Sequence, residues 1–149
     1  MKLLLLRHGE AGFNAPSDVL RPLTDNGRYR LRHMLKEAGE QLSELDYIVH
    51  SPYLRTTQTA ELVLEQQQVR AESLDLLVPE SDPRKVLDWL TERDDQVLML
   101  VTHQPLIGNL VSLLCEGDLS RPEPMMPGAL AIIELEFPAA GLGRLQVLC

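Results

Sequence analysis

Residues 2–9 read Lys-Leu-Leu-Leu-Leu-Arg-His-Gly, and this stretch decides the fold. The apolar run at 2–6 predicts a buried strand, and the abrupt change to Arg-His-Gly marks the point where that strand ends. A cation and an imidazole, Arg7 and His8, therefore emerge together at the strand's carboxyl end. In open α/β sheets this is the edge at which ligands bind.

Further apolar, strand-like runs alternate with helical patterns along the rest of the chain. This alternation is typical of a parallel sheet covered by helices. We therefore expect an α/β fold with three layers, α/β/α, in which a mostly parallel central sheet is covered by helices on both faces. No repeat or linker interrupts the pattern, so residues 1–149 are expected to form a single domain. The predicted strands are residues 2–6, 46–50, 71–77, 97–101, 129–136 and 143–148.

Capping residues predict where the helices begin. Thr24 is the expected N-cap of a first helix, and Ser51-Pro52 predicts the start of a second that runs to about residue 67. Asp82-Pro83 and Pro105 predict two more. The first helix has one apolar face, formed by Leu31, Leu35, Ala38 and Leu42.

Composition excludes several classes of partner. The formal net charge of −8 argues against binding to nucleic acid or to an anionic membrane, because both require a cationic surface. The apolar run at residues 3–6 is too short for a signal peptide or a membrane span, so the cytoplasm is expected. The two cysteines, Cys115 and Cys149, lack metal-binding spacing, and we expect no metal and no cofactor.

Three predicted strands end in polar residues that suit a phosphoryl group. The first ends in Arg7 and His8, the second leads through Ser51-Pro52 to Arg55, and the central strand at 97–101 ends in Thr102-His103. If these strands are parallel, the side chains share one edge of the sheet, where helix amino ends also favour an anion. Guanidinium groups bind phosphate oxygens while an imidazole attacks phosphorus. The sequence therefore predicts a phosphatase site.

The nucleophile must be a neutral imidazole. We expect Arg7 and Arg55 to lower the pKa of His8 from its ordinary value of about 6.5 by charge repulsion. A backbone carbonyl, such as that of Gly9, would fix the tautomer that directs a lone pair at phosphorus. The arginines and His103 would hold the equatorial oxygens, so fixed cations replace a metal.

These residues resemble a known family. Arg7-His8-Gly9-Glu10, the segment Ser51-Pro52-Tyr53-Leu54-Arg55-Thr56-Thr57-Gln58-Thr59-Ala60, and Thr102-His103 are similar to the histidine phosphatase superfamily, also called phosphoglycerate mutase-like. The short chain, the segment 18–27 and the segment 103–108 narrow the resemblance to bacterial SixA-type phosphohistidine phosphatases. The resemblance implies a phosphohistidine intermediate on His8, with Arg7, Arg55 and His103 around the transferred group.

Other polar residues have weaker assignments. By the same resemblance, Asn14 and Arg21 are candidates for substrate binding, although Arg21 can instead pair with Asp18. Glu80 and Glu10 are the candidates for a general acid. An imidazole leaves far more readily than an alkoxide, so a phosphohistidine substrate would not require a strong acid.

A phosphatase that acts on phosphohistidine in proteins is the main prediction, and two other functions remain as alternatives. The short chain has no insertion that could form a lid, which favours a phosphorylated side chain carried on another protein. By resemblance, that partner is a histidine phosphotransfer domain or a phosphocarrier protein. The alternatives are a phosphatase of small phosphoesters, such as sugar phosphates or nucleotides, and a catalytically inactive protein that binds phosphorylated groups.

Overall fold

The computed structural model describes all 149 residues and places the first apolar run near the middle of a six-stranded sheet. Four consecutive leucines, residues 3–6, are completely buried because both faces of this strand are covered. The strand order is β3-β2-β4-β1-β5-β6. The strands are β1 (Lys2–Arg7), β2 (Tyr47–His50), β3 (Arg70–Ser73), β4 (Val97–Thr102), β5 (Leu130–Glu134) and β6 (Arg144–Leu148).

The sheet is mixed. Strands β3, β2, β4 and β1 are mutually parallel, whereas β5 is antiparallel to β1 and β6 is antiparallel to β5. Three of the five strand pairings are parallel and two are antiparallel, so the sheet is less uniformly parallel than expected. The antiparallel pair follows from the short turn around Gly141, since adjacent strands joined by a short connection must run in opposite directions.

Helices cover both faces and confirm the three layers. The helices are α1 (Asp25–Glu37), α2 (Gly39–Leu42), α3 (Leu54–Leu64), α4 (Pro83–Leu90) and α5 (Leu106–Glu116). One buried cluster joins α4 and α5 to one face of the sheet through residues such as Leu90 and Leu110. A second cluster joins α1, α2 and α3 to the opposite face through residues such as Leu35 and Val63. No helix is both long and apolar enough to cross a membrane.

Two of the predicted caps are confirmed. The Thr24 side chain accepts a hydrogen bond from the Gly27 N–H at the start of α1, and Asp82 accepts one from the Arg84 N–H at the start of α4. The predicted face of the first helix is buried as expected, but the helix is interrupted at Ala38, which separates α1 from α2.

The predicted helix start at Ser51-Pro52 was wrong. Helix α3 begins at Leu54, with Tyr53 at the cap position, and it ends at Leu64 instead of about residue 67. The Ser51 hydroxyl accepts the Tyr53 N–H at 3.3 Å and also contacts His103. The hydroxyl therefore stabilises the turn between β2 and α3. It also contacts the side chain of His103, which follows the neighbouring strand β4.

Candidate active site

Three neighbouring strands end at the same edge of the sheet, as the sequence predicted. In the register of β1 and β4, Arg7 is opposite Thr102, and in that of β2 and β4, His50 is opposite Val101. The backbone continues this pairing beyond the strands. The His8 N–H donates to the Thr102 carbonyl at 3.1 Å, and the Ser51 N–H donates to the Val101 carbonyl at 3.0 Å.

His8 is buried with its tautomer fixed. Its Nδ1–H donates to the Gly9 carbonyl at 2.7 Å, and its Nε2 accepts a hydrogen bond from Arg55 Nε at 3.3 Å. Because Nδ1 carries the proton, Nε2 presents a lone pair toward the arginine. This is the geometry that a nucleophilic imidazole needs.

Arg55 lies in the first turn of α3 and is only 5% exposed. Its Nη1 donates to the Asp18 carbonyl at 2.7 Å, and its Nη2 donates to Asp18 Oδ2 at 3.3 Å. The guanidinium also lies over the Tyr53 ring, 5.0 Å from its centroid. The planar group is thus held on three sides while its Nε faces His8.

Arg7 and His103 each direct an unpaired donor atom into a buried environment. Arg7 Nη1 donates to the Met125 carbonyl at 2.7 Å, whereas Arg7 Nε is buried without a partner. His103 Nε2 lies 2.8 Å from Ser51 Oγ, and His103 Nδ1 is buried without a partner. Buried polar atoms without partners are costly, so these two nitrogens are candidates to bond a ligand.

The two imidazoles face each other. Their ring centroids are 5.1 Å apart, and the Tyr53 ring packs edge-on against His103 at 4.9 Å. When the Ser51 hydroxyl donates to His103 Nε2, the proton of the neutral ring resides on Nδ1. His103 Nδ1 is then available as a hydrogen-bond donor to an anion.

Both imidazoles are kept neutral, and burial is the main cause. Burial lowers the pKa of His8 to about 4, with smaller contributions from the charges of Arg55 and Arg7. Burial also lowers the pKa of His103 to about 3, followed by the influence of His8 and Arg55. The expected direction is therefore correct for His8, but the charge repulsion that we expected to cause it is secondary to desolvation.

These shifts predict a pH dependence of stability. Both histidines have folded-state pKa values below the ordinary 6.5. As the pH falls below 6.5, the unfolded chain therefore binds protons at these two residues while the folded chain does not. We expect the free energy of unfolding to be fully retained above about pH 6.5 and to decrease from there toward pH 4. Urea unfolding at several pH values will measure this slope.

A His8→Asn variant provides the control for this prediction. The free energy of unfolding of the variant should decrease less steeply between pH 6.5 and 5, because one of the two histidines with a lowered pKa is absent. An ¹⁵N NMR titration in which the His8 ring becomes charged near pH 6.5 would contradict the prediction.

Arg21 contacts several residues of the loop between β1 and α1. Arg21 Nε donates to the Gly12 carbonyl at 2.9 Å, its Nη1 donates to Asp18 Oδ1 at 3.1 Å, and its guanidinium lies 4.0 Å from the centroid of the Phe13 ring. The pairing of Arg21 with Asp18 is the alternative that the sequence left open. Asn14 lies exposed in the same loop and makes no hydrogen bond.

Neither candidate acid forms a hydrogen bond or an ion pair with the histidines and arginines of the site, and their role as a general acid stays a prediction. Glu10 accepts a hydrogen bond from the Thr24 hydroxyl at 2.6 Å and one from Asn26, and these bonds lower the pKa of its carboxyl. An ionised carboxylate at the start of α1 is a poor proton donor and a good partner for the helix amino end. Glu80 is exposed and forms neither a hydrogen bond nor an ion pair.

Sequence reasoning assigned no role at the site to three residues that support it. Thr59 Oγ1 donates to the Arg55 carbonyl at 2.7 Å and accepts the Gly9 N–H at 3.2 Å, so one buried hydroxyl links the helix of Arg55 to the peptide that orients His8. Ser51 and Tyr53 contact His103. All three belong to the segment 51–60, whose match to a family motif was the available signal.

Together, these groups can bind and transfer an oxyanion. Two guanidinium groups and one imidazole donor surround a neutral imidazole whose Nε2 lone pair accepts a hydrogen bond from Arg55, all in a partly desolvated environment where electrostatic interactions are strong. No group of three or more His, Cys, Asp or Glu side chains has the geometry of a metal site.

Comparison with known protein sequences identifies a family for this chain. The sequence profile of the histidine phosphatase superfamily, branch 1, matches residues 3–78. The phosphohistidine phosphatase SixA of Escherichia coli is 35% identical over 152 residues, covering 99% of this chain and 93% of that protein. A SixA homolog of Haemophilus influenzae is 30% identical over 126 residues, covering 76% of this chain and 77% of that protein.

A solved structure agrees over the full length. The protein histidine phosphatase SixA complexed with tungstate superposes with a TM-score of 0.89 at 33% identity, covering 99% of this chain and 96% of that chain. The shared motifs, the full-length identity and the superposition lead to one conclusion. The chain belongs to the histidine phosphatase superfamily, branch 1, and within it is similar to the SixA proteins.

Proposed function

We propose that this protein is a phosphohistidine phosphatase, which removes phosphoryl groups from histidine side chains of proteins through a phosphohistidine intermediate on His8. The observation that carries the proposal is the state of His8. Its Nδ1 is committed to the Gly9 carbonyl, and its neutral Nε2 lies within reach of the Arg55 guanidinium. Tungstate, a phosphate-like oxyanion, is present in the related SixA structure.

The reaction proceeds in two displacements. His8 Nε2 attacks phosphorus as the bond from phosphorus to the substrate imidazole breaks, and the imidazole leaves with its electron pair and takes up a proton from solvent. Water then attacks the phosphorus of phospho-His8, which releases inorganic phosphate and restores the His8 lone pair. In both steps, Arg7, Arg55 and His103 donate hydrogen bonds to the equatorial oxygens, whose negative charge must be held throughout.

The proposal requires neither a metal nor a carboxylic acid. Arg7 and Arg55 are fixed cations, and Arg55 is held at its position by Asp18 and Tyr53. Imidazole is a good leaving group, so proton donation from a side chain contributes little to the first step. This agrees with the ionised state of Glu10 and with the exposed position of Glu80.

A protein substrate is favoured by the surroundings of the site. Phe13 is 83% exposed and Met126 is 73% exposed, and they lie on the loops that hold Arg21 and Arg7 respectively. Large apolar side chains exposed near a polar cleft are typical of protein-binding surfaces. We propose that the partner is a histidine phosphotransfer domain or a phosphocarrier protein, and that the reaction takes place in the cytoplasm.

The proposal is tested by comparing substrates and acid variants. We expect kcat/KM to be higher for a phosphohistidine-bearing carrier protein than for a panel of sugar phosphates and nucleotides. Glu80→Gln and Glu10→Gln should each keep phosphohistidine hydrolysis within about threefold of the unmodified protein, since a general acid is worth about 10²-fold or more where it acts. Equal or better turnover of the phosphoesters would favour the small-molecule alternative. A large loss in either variant would restore the carboxylic acid to the mechanism.

A further inference from the structure

Asp18 lies between two arginines at the border of the site. Its Oδ1 accepts a hydrogen bond from Arg21 at 3.1 Å, and its Oδ2 accepts one from Arg55 Nη2 at 3.3 Å. Its backbone carbonyl accepts the shorter bond from Arg55 Nη1, at 2.7 Å. One residue therefore binds the outer edge of the Arg55 guanidinium through both its main chain and its side chain.

Each of the two arginines has partners besides the Asp18 carboxylate. Arg55 is 5% exposed, and its guanidinium keeps the Asp18 carbonyl and the Tyr53 ring as partners. Arg21 keeps the Gly12 and Ala11 carbonyls and the Phe13 ring. By contrast, the side chain of Asp18 is 58% exposed. The side-chain bonds of Asp18 thus come in addition to the backbone and aromatic partners of each arginine.

The chemistry of the carboxylate resembles that of the ligand. A carboxylate and a phosphate offer the same kind of oxygen pair to the fork of a guanidinium. The pKa of Asp18 is lowered, mainly by the hydrogen bond from Arg21, so the group is anionic at neutral pH. A phosphate oxygen that approaches Arg55 Nη2 meets a competing acceptor there and a negative charge beside it.

We propose that the Asp18 carboxylate competes with phosphate for Arg55 and thereby weakens the binding of the product. This inference rests on the proposed phosphatase site, and it adds a residue that acts through Arg55 instead of on the substrate. Phosphatases that form their product inside a cage of cations must release a strongly attracted dianion. A carboxylate that returns to Arg55 as phosphate departs lowers the free-energy cost of that release.

Asp18→Asn tests the proposal because it removes the charge and keeps the size and one acceptor oxygen. We expect the dissociation constant of inorganic phosphate, measured by isothermal titration calorimetry, to fall about fivefold or more. Product inhibition by phosphate during turnover should strengthen by a similar factor. The effect should shrink at high ionic strength, because the Asp18 side chain is more than half exposed.

The sign of the change separates this role from a structural one. If Asp18 merely supported Arg55, its replacement would loosen the guanidinium and weaken phosphate binding, so weaker or unchanged binding overturns the proposal. Asp18→Ala provides a second variant with the same expected sign, and thermal melting of both variants checks that they fold. Asp25→Asn, an exposed carboxylate at the start of α1, is the matched control for net charge and should leave phosphate binding unchanged.

The titration of the wild-type protein with phosphate distinguishes failure of the proposed phosphatase site from failure of the proposed competition by Asp18. If the unmodified protein fails to bind inorganic phosphate, the proposed phosphatase site is wrong. If it binds phosphate and Asp18→Asn does not tighten that binding, only the competition by Asp18 is wrong.

Discussion

Replacing His8 with alanine is expected to lower kcat by about 10⁴-fold or more, because the atom that bonds to phosphorus is lost. The arginines and His103 remain, so phosphate binding should survive in the variant. The loss then lies in the chemical step and not in recognition. Rapid mixing with a ³²P-labelled phosphohistidine protein, followed by quenching in base, measures both turnover and the labelled intermediate.

The labelled intermediate gives this test its specificity. The wild-type protein should carry an adduct at residue 8 that is stable to base and labile to acid, as expected for a phosphoramidate. His33→Ala is the matched control, since His33 is an exposed residue of α1 that pairs with Glu37. Undiminished turnover in the His8 variant, or a label mapped to another residue, would contradict the proposed mechanism.

Arg55→Lys is expected to lower kcat/KM by about 10²- to 10³-fold, although the positive charge is kept. The guanidinium makes three directed contacts at once, to His8 Nε2, to the Asp18 carbonyl and to Asp18 Oδ2. A lysine ammonium is a point charge on a flexible chain, and it cannot span these positions in one plane. Steady-state kinetics on the phosphohistidine protein will measure the loss.

A distant arginine provides the control for this substitution. Arg32→Lys affects an exposed ion pair with Glu65 on the helical surface and should leave kcat/KM unchanged. If Arg55→Lys keeps more than about a third of the wild-type kcat/KM, then charge alone suffices and the fork geometry of the guanidinium is unimportant.

The first strand, the central strand and the strand-end positions of Arg7, His8 and His103 could be predicted from local pattern. Leucine and valine runs at residues 2–6 and 97–101 have few alternatives to burial in a sheet. Parallel pairing then places their carboxyl ends together, and the register of Arg7 with Thr102 bears this out. Arg55 followed in the same way, because it lies in the first turn of the helix after β2.

The loop residues could not be predicted, because their positions depend on contacts between distant parts of the chain. Arg21 donates to carbonyls of its own loop and Asn14 is exposed, and their expected contact with substrate stays a prediction. Nothing in the periodicity of the sequence indicates that Asp18 reaches Arg55, 37 positions away. The start of α3 was wrong for a related reason, since the Ser51 hydroxyl has a partner on another strand.

The cause of the neutral histidines was also only half predicted. Charge repulsion can be inferred from the presence of two arginines, whereas desolvation requires knowing how deeply each ring is buried. His8 and His103 are 6% and 1% exposed. That burial depends on packing by Tyr53 and by the peptides of neighbouring strands, which no short motif encodes.

The strand order has a consequence for the synthesis of this protein on the ribosome. β4 lies between β1 and β2, although it is translated after both, so those two earlier strands have no neighbour in common until residues 97–102 emerge. A nascent chain that ends before this point contains His8 and Arg55 but lacks the spacer that sets the distance between them. His103 also follows β4, so the full set of site side chains can come together only after this strand has been translated.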